Sequence, residues 1–296
     1  MGRDSRSRAK SLIEVVSRFA PSPTGPLHLG HAFSAVLAHD FARERGGAFL
    51  LRIEDIDPGR TREAFVAGIV EDLGWLGLRW DGEIVRQSRR LPLYAEALAR
   101  LRAAGLVYPC FCTRAAIAAE IAASAAAPHG PDGPLYPGAC RLLSDAERQA
   151  RAGEPHAWRL DVAAASAGAG PLYWRDGETE VLAEPEAQGD VVLARKDAPV
   201  SYHLAVTVDD AAQGVTDVVR GRDLYAATDV HRLLQALLGL PTPHYHHHML
   251  LADAEGRRLA KRHGAPALAD LRAAGADPAA LVEGLRAGRL PEGYSL

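Results

Sequence analysis

Cysteine, long apolar runs and net charge are all scarce in this sequence, and each shortage closes off a class of protein. Three cysteines in 296 residues are too few for a disulfide scaffold, and their clustering reads as metal chemistry in a reducing compartment. Apolar runs such as Ala48–Leu51 and Leu233–Leu240 fall far short of the ~20 residues that span a bilayer. The polar, basic Met1–Lys10 has no apolar stretch behind it and does not read as a secretory signal. A cytoplasmic protein with no membrane partner is therefore expected. The net charge of −3 argues against a wholly basic nucleic-acid binder, yet an enzyme holding RNA on one local face stays compatible with it. With 48% hydrophobic and 24% charged residues, the chain has the balance of a globular protein. Its length suits one large domain with an insertion, or two compact domains.

What is present is most informative near the start. The strand-like Val15–Ala20 runs into Pro21-Ser22-Pro23-Thr24-Gly25-Pro26-Leu27-His28-Leu29-Gly30-His31. A Pro/Gly-rich turn between a strand and a helix start offers free backbone N–H groups and the positive helix end to an anion. Two imidazoles there add hydrogen bonds to phosphate oxygens as charge builds on them. An ordinary strand–turn–helix bend is the plainer alternative.

The remaining pattern alternates. Glu14–Ala20 reads as a strand, His31–Arg45 as a helix and Ala48–Ile53 as a buried parallel strand delivering Glu54, Asp55 and Asp57 at its end. Helices follow at Arg60–Leu76 and Arg90–Ala104, their apolar residues three and four apart. From about Pro109 to Pro185 the pattern weakens, which suggests an inserted module; Ala122–Ala127 and Ala163–Gly170 read as loop or loosely specified helix. The alternation resumes with Val191–Ala194, His203–Val208 and Val215–Val219, then a helix over Asp223–Leu238, His246–Leu251, the basic turn Arg257–His263 and a helical tail from Ala267. The expected fold is α/β with a Rossmann-like parallel sheet and its ligand site along the strand C-termini. Its parts are a first catalytic half over 11–108, an inserted module over 109–190, a second half over 191–255, and a loop with a short helical tail over 256–296.

Cys110, Cys112 and Cys140 are all the cysteines in the chain. Thiolates suit Zn²⁺, and a closed structural site wants four tetrahedral ligands. Tyr136 and His129 are the nearby fourth ligands, and chemistry alone favours His129 because tyrosine is an uncommon zinc ligand. Arg18, Ser22 and Glu54 lie at neighbouring strand ends, where an arginine fork holds a carboxylate and a glutamate an ammonium. Tyr202 and Arg220 arrive from the second half to complete a clamp for a free amino acid. Asp209-Asp210 suggests magnesium or simple turn chemistry and stays unassigned. In His246-His247-His248 neighbouring residues of a strand face opposite ways, so the three make no ligand set; His247 is the one expected toward the nucleotide pocket.

These residues carry a family likeness. His28-Leu29-Gly30-His31 resembles the HIGH signature of class I aminoacyl-tRNA synthetases, and Arg258-Leu259-Ala260-Lys261-Arg262 resembles the KMSKS signature. Arg18–Gly25, Leu51–Asp57, Tyr202–Asp210 and Gly214–Gly221 are similar to the glutamate branch of that class. The chain ends soon after the basic turn, where glutamyl-tRNA synthetases continue into an anticodon-binding region. With the Cys-x-Cys…Tyr-x-x-x-Cys pattern, this resembles the glutamyl-queuosine tRNA(Asp) synthetase family.

The resemblance implies ATP-dependent activation of L-glutamate, with Mg²⁺ accompanying ATP, and transfer of the glutamyl group to queuosine in tRNA(Asp). It implies glutamate contacts at Arg18, Phe19, Ala20, Pro21, Ser22, Glu54, Tyr202 and Arg220. ATP contacts fall on His28, Gly30, His31, Arg258 and Lys261, with His28, His31 and Lys261 catalytic. One structural Zn²⁺ falls on Cys110, Cys112, Tyr136 and Cys140, against the chemical preference for His129. The second signature departs from the family at Ala260, which lacks a hydroxyl. A monomer is expected. The rival readings are a truncated glutamyl-tRNA synthetase charging the tRNA 3′ end, a catalytically weak RNA-binding relative, and a small-molecule nucleotidyltransferase.

Overall fold

The computed structural model describes residues 15–123, 129–130, 133–253, 267–289 and 294–295. Strand β1 (Val16–Phe19) leads through the Pro/Gly turn into helix α1 (Leu29–Glu44), then β2 (Ala48–Ile53), α2 (Glu63–Trp75) and β3 (Val85–Arg86). β1 and β2 pair in parallel, as do β2 and β3. The first helix begins two residues before its sequence-based start because His28 caps it, its side chain accepting from the Gly30 N–H. By contrast, α2 and α3 are shorter at both ends than their sequence-based spans, α3 covering Leu91–Ala103.

The middle of the chain comprises β4 (Val107–Cys110), α4 (Arg114–Ala123), β5 (His129–Gly130), β6 (Gly133–Pro134), α5 (Asp145–Ala150), β7 (Ala157–Leu160) and α6 (Val162–Ala169). β7 lies between β4 and β10 (Val192–Ala194) in an antiparallel sheet. The hairpin of β8 (Tyr173–Asp176) and β9 (Thr179–Leu182) falls in the stretch read from sequence as an insertion. It nonetheless joins the sheet of the second half, with Asp176 paired to Tyr245.

The second half supplies α7 (Tyr202–Ala212), β11 (Asp217–Gly221), α8 (Ala227–Leu238) and β12 (His244–His248). His203–Val208 is thus helical, and Arg222–Leu224 is a separate turn of 3₁₀ helix before α8. β11 and β12 pair in parallel. Thr216 joins the two halves of the sheet: its N–H donates to the Val16 carbonyl at 3.0 Å and its hydroxyl accepts from the Val16 N–H at 2.8 Å. Of the apolar face expected on α8, Val230, Leu233 and Leu234 are buried and Leu237 is half-buried, with Leu238 buried beside it, and Gly239 ends the helix at φ +62°, a left-handed position that suits glycine.

β13 (Ala252–Asp253) pairs with β14 (Tyr294–Ser295), and α9 (Leu268–Ala273) and α10 (Pro278–Arg286) close the chain. Leu268, Val282 and Leu285 enter the same core as α1, β2 and α2. The Leu268 N–H donates to the Leu27 carbonyl at 2.9 Å, and Ala267 bridges to His28. Arg257–His263, with Arg258 and Lys261, lies outside the described residues, but the chain beyond it is anchored beside the histidine turn. Among the described residues no helix is long and apolar enough to cross a membrane.

Candidate active site

In an open parallel sheet the connections leaving the strand C-termini diverge at a switch point, and ligands collect in the crevice between them. A cleft of about 900 Å³ opens on that edge. Its walls include Arg18 to Ser22, His28, Gly30, His31, Glu54, Tyr202 and Arg220, so the structure gathers every described residue expected at the amino acid or the phosphates. His248 lines this cleft, whereas His247 lies behind Arg220, which reverses the orientation expected for the triplet.

The two histidines form a reciprocal cap. His31 Nδ1 accepts from the His28 N–H and His28 Nδ1 accepts from the Gly30 N–H, both at 3.1 Å. Their rings lie 3.8 Å apart between centroids. An Nδ1 that accepts from a backbone N–H leaves the ring proton of the neutral imidazole on Nε2. Each ring is thereby fixed as an Nε2–H donor at the N-terminus of α1.

On the opposite wall, β11 carries the buried Arg220. Its Nε donates to His247 Nε2 at 3.1 Å, and Nη2 donates to Thr228 Oγ1 at 2.7 Å and the Leu224 carbonyl at 3.1 Å. Nη1 makes longer contacts, 3.3 Å to the Tyr202 hydroxyl and 3.4 Å to His231 Nδ1. Among the described residues no carboxylate pairs with this guanidinium. Burial first, and then the Arg220 charge, hold His203 and His247 down to about 4 and push His231 well below its ordinary value. The histidines around Arg220 are therefore neutral near pH 7, and its charge faces the cleft uncompensated.

Arg18 is held differently. Its Nε donates to Asp210 Oδ1 at 3.0 Å, and the same oxygen accepts from Arg52 Nη1 at 2.7 Å. Arg52, fully buried, reaches Glu54 Oε1 at 3.3 Å through Nη2. Burial pushes the Glu54 carboxyl up against the pull of Arg52 and Arg18. It also opposes ionisation of Asp210, but Arg18 and Arg52 prevail and hold that carboxyl below its usual range. The neighbouring Asp209 accepts from Arg90 Nε at 2.7 Å, Gln87 Nε2 at 2.9 Å and the Tyr94 hydroxyl at 2.7 Å. Asp209 and Asp210 are thus neither a turn nor free for magnesium; they are buried counter-charges on α7. The sequence signal that would have found them is two adjacent acids inside an otherwise apolar helical stretch.

The cysteines also converge. The sulfurs of Cys110, Cys112 and Cys140 lie within 4.8 Å of one another. Cys112 Sγ stands 3.4 Å from Cys140 Sγ, and the Tyr136 hydroxyl is 3.5 Å from Cys110 Sγ and 3.6 Å from Cys112 Sγ. A zinc–sulfur bond of about 2.3 Å implies tetrahedral S–S edges of about 3.8 Å, so the donor set fits Zn²⁺ with small adjustments. The side chain of His129 lies outside the described residues.

A family model described as "tRNA synthetases class I (E and Q), catalytic domain" matches residues 14–293, which sets the class of this fold and cleft. A glutamate-tRNA synthetase from Elizabethkingia anophelis superposes with a TM-score of 0.70 at 29% identity, over 85% of this chain and 53% of that one. This chain thus spans about half the length of that synthetase. The methionyl-tRNA synthetase of Mycobacterium tuberculosis shares the fold, with a TM-score of 0.54 at 12% identity over 88% of this chain and 61% of that one. Among curated relatives, the glutamyl-Q tRNA(Asp) synthetase of Rhodobacter capsulatus is 54% identical over 90% of this chain and 97% of its own. That of Symbiobacterium thermophilum is 46% identical over 90% and 84%. The chain belongs to the glutamyl-Q tRNA(Asp) synthetase family.

Proposed function

We propose that this chain activates L-glutamate with ATP and transfers the glutamyl group to queuosine in tRNA(Asp). The observation that carries the amino-acid half of this reading is Arg220, a buried guanidinium ringed by neutral partners on the wall of the cleft. A desolvated cation without a counter-charge is a receptor for a carboxylate. Arg18, braced by Asp210, and Glu54 supply a second donor fork and a site for the ammonium.

ATP lies with its phosphates over the start of α1, where His28 and His31 present their Nε2–H groups beside the Gly30 N–H. A glutamate carboxylate oxygen attacks the α-phosphorus in line; the new P–O bond forms as the bond to pyrophosphate breaks. Protein groups supply position and charge stabilisation, and no covalent enzyme intermediate is required. Lys261 neutralises charge on the triphosphate, with Arg258 in support and Mg²⁺ accompanying ATP. A queuosine hydroxyl then attacks the glutamyl carbonyl and AMP leaves. Cys110, Cys112, Tyr136 and Cys140 would hold one Zn²⁺, whose role there would be structural, joining β4 to the 3₁₀ turn at Ala139–Leu142 with no part in the transfer.

The deciding experiment compares acceptance of radiolabelled glutamate by queuosine-containing tRNA(Asp) and by tRNA(Glu), with glutamate-dependent ATP–pyrophosphate exchange measured without tRNA. Label on tRNA(Asp) alone, with exchange in the absence of tRNA, is the expected result. Charging of tRNA(Glu) supports the truncated-synthetase reading instead, and absence of exchange refutes activation.

A further inference from the structure

Arg220 is fixed by more than the residues that touch it from the cleft. Behind it, the side chain of His247 is completely buried and sits among Trp174, Tyr225 and Tyr245, with ring centroids at 5.8, 5.1 and 6.0 Å. On its far side stands Asp176, at the end of β8. Asp176 Oδ1 accepts from the His247 backbone N–H at 2.9 Å and from His247 Nδ1 at 3.0 Å. One carboxylate oxygen thereby fixes both the backbone and the ring of His247. A carboxylate accepts only, so Nδ1 must carry the proton and Nε2 must present a lone pair. That lone pair meets the Arg220 Nε–H. The opposite tautomer would set N–H against N–H at Arg220 and lone pair against lone pair at Asp176.

We propose that Asp176 and His247 are positioning residues that orient Arg220 as the carboxylate receptor, through the relay Asp176 to His247 to Arg220 Nε. The proposal rests on the reading of Arg220 as the glutamate site. It explains the unequal contacts around the guanidinium. The Nε and Nη2 edge is held by protein acceptors at 2.7 to 3.1 Å, while Nη1 makes contacts of 3.3 and 3.4 Å. The firmly held edge fixes the plane of the fork, and Nη1, beside Tyr202, is the donor that exchanges its weak partners for a ligand oxygen. It also gives the β8–β9 hairpin a part in substrate recognition, although none of its residues lines the cleft.

The test is glutamate-dependent ATP–pyrophosphate exchange by the zinc-loaded full chain, with KM for glutamate and for ATP and kcat measured separately. His247→Phe keeps the ring volume and removes the acceptor; glutamate KM should rise tenfold or more, with ATP KM unchanged. His247→Gln, whose carbonyl oxygen reaches the place of Nε2, should recover to within about threefold of the parent. Asp176→Ala should raise glutamate KM in the same way, and Asp176→Asn, whose amide oxygen accepts the same two N–H groups, should restore it. Asp176 is one-fifth exposed, so its variants serve as the test where His247→Phe does not fold. A role in folding alone would lower melting temperature without separating the two KM values. Arg220→Leu distinguishes the two levels. If it raises glutamate KM while folded Asp176→Ala and His247→Phe keep the parental value, the relay is overturned and the receptor stands. If Arg220→Leu itself keeps the parental KM, the receptor reading falls.

Discussion

Replacing Asp210 with Asn tests whether the buried charges below the cleft are balanced as the structure indicates. Arg18, Arg52 and Arg90 stand against Glu54, Asp209 and Asp210, three cations to three anions, linked by contacts of 2.7 to 3.9 Å. Asparagine preserves an acceptor oxygen but leaves the group with one excess positive charge. Neither Arg18 nor Arg52 can shed its proton to relieve that charge, and both side chains are almost wholly withdrawn from water. Breaking a buried pair from one side costs about 3–5 kcal/mol, and the retained acceptor places this variant near 3 kcal/mol. At about 2.1 cal/mol/K of unfolding entropy per residue, such a loss lowers the melting temperature by roughly 5 °C in a chain of this length. Calorimetry of parent and variant at pH 7 measures it. Because Arg18 and Arg52 hold Asp210 below its usual range, the pair's contribution is full above about pH 4 and is lost as pH falls through the folded-state value. The deficit of the variant should therefore narrow in acid. Asp145→Asn, at a fully exposed carboxylate, is the control and should not shift the transition. An Asp210→Asn protein that melts with its parent at pH 7 refutes the balance.

Protein purified without added zinc should return about one equivalent of the metal, and Cys140→Ser should abolish that stoichiometry; a metal-free parent overturns the zinc assignment. For His203, ionising at about 4 when folded against about 6.5 unfolded, the unfolded chain takes the proton first. Stability should then fall as pH drops below about 6.5, by about 2 kcal/mol at pH 5, and urea titrations of His203→Gln should show a shallower slope; an equal slope refutes it. Lys261→Ala should slow single-turnover adenylate formation by a factor corresponding to roughly 3 kcal/mol, whereas Ala260→Ser should be neutral or faster. A parental rate for Lys261→Ala would leave the phosphate chemistry to His28, His31 and magnesium.

Local patterning made much of this fold legible. The strand–turn–helix at Arg18–His31, the apolar β2 and the amphipathic α8 depend on residues close in sequence, and periodicity reports such neighbours well. The cleft's outer residues were legible for a related reason: they sit at strand ends, which a parallel sheet brings to one edge. The supports behind them were not. Asp210 meets Arg18 across 192 positions and Arg52 across 158, and no spacing rule reaches that far. Asp176 reads as an ordinary turn residue until β8 is seen to pair with β12. His247 was expected toward the nucleotide because alternation tells that neighbours differ in facing, not which of them faces the cleft.

The span between the arginines and their counter-charges also bears on synthesis. As the chain leaves the ribosome, β1, α1 and β2 emerge with Arg18 and Arg52 long before α7 brings Asp209 and Asp210. Until then Arg52, fully buried in the finished fold, has among the described residues only Glu54 as a close acidic partner. The first half cannot close over Arg52 without stranding its charge, so it stays open to water, and unsealed apolar surface of that kind is where nascent chains aggregate. The cleft wall that carries Arg18 is consequently completed only once α7 has been made, because its guanidinium is braced there by Asp210.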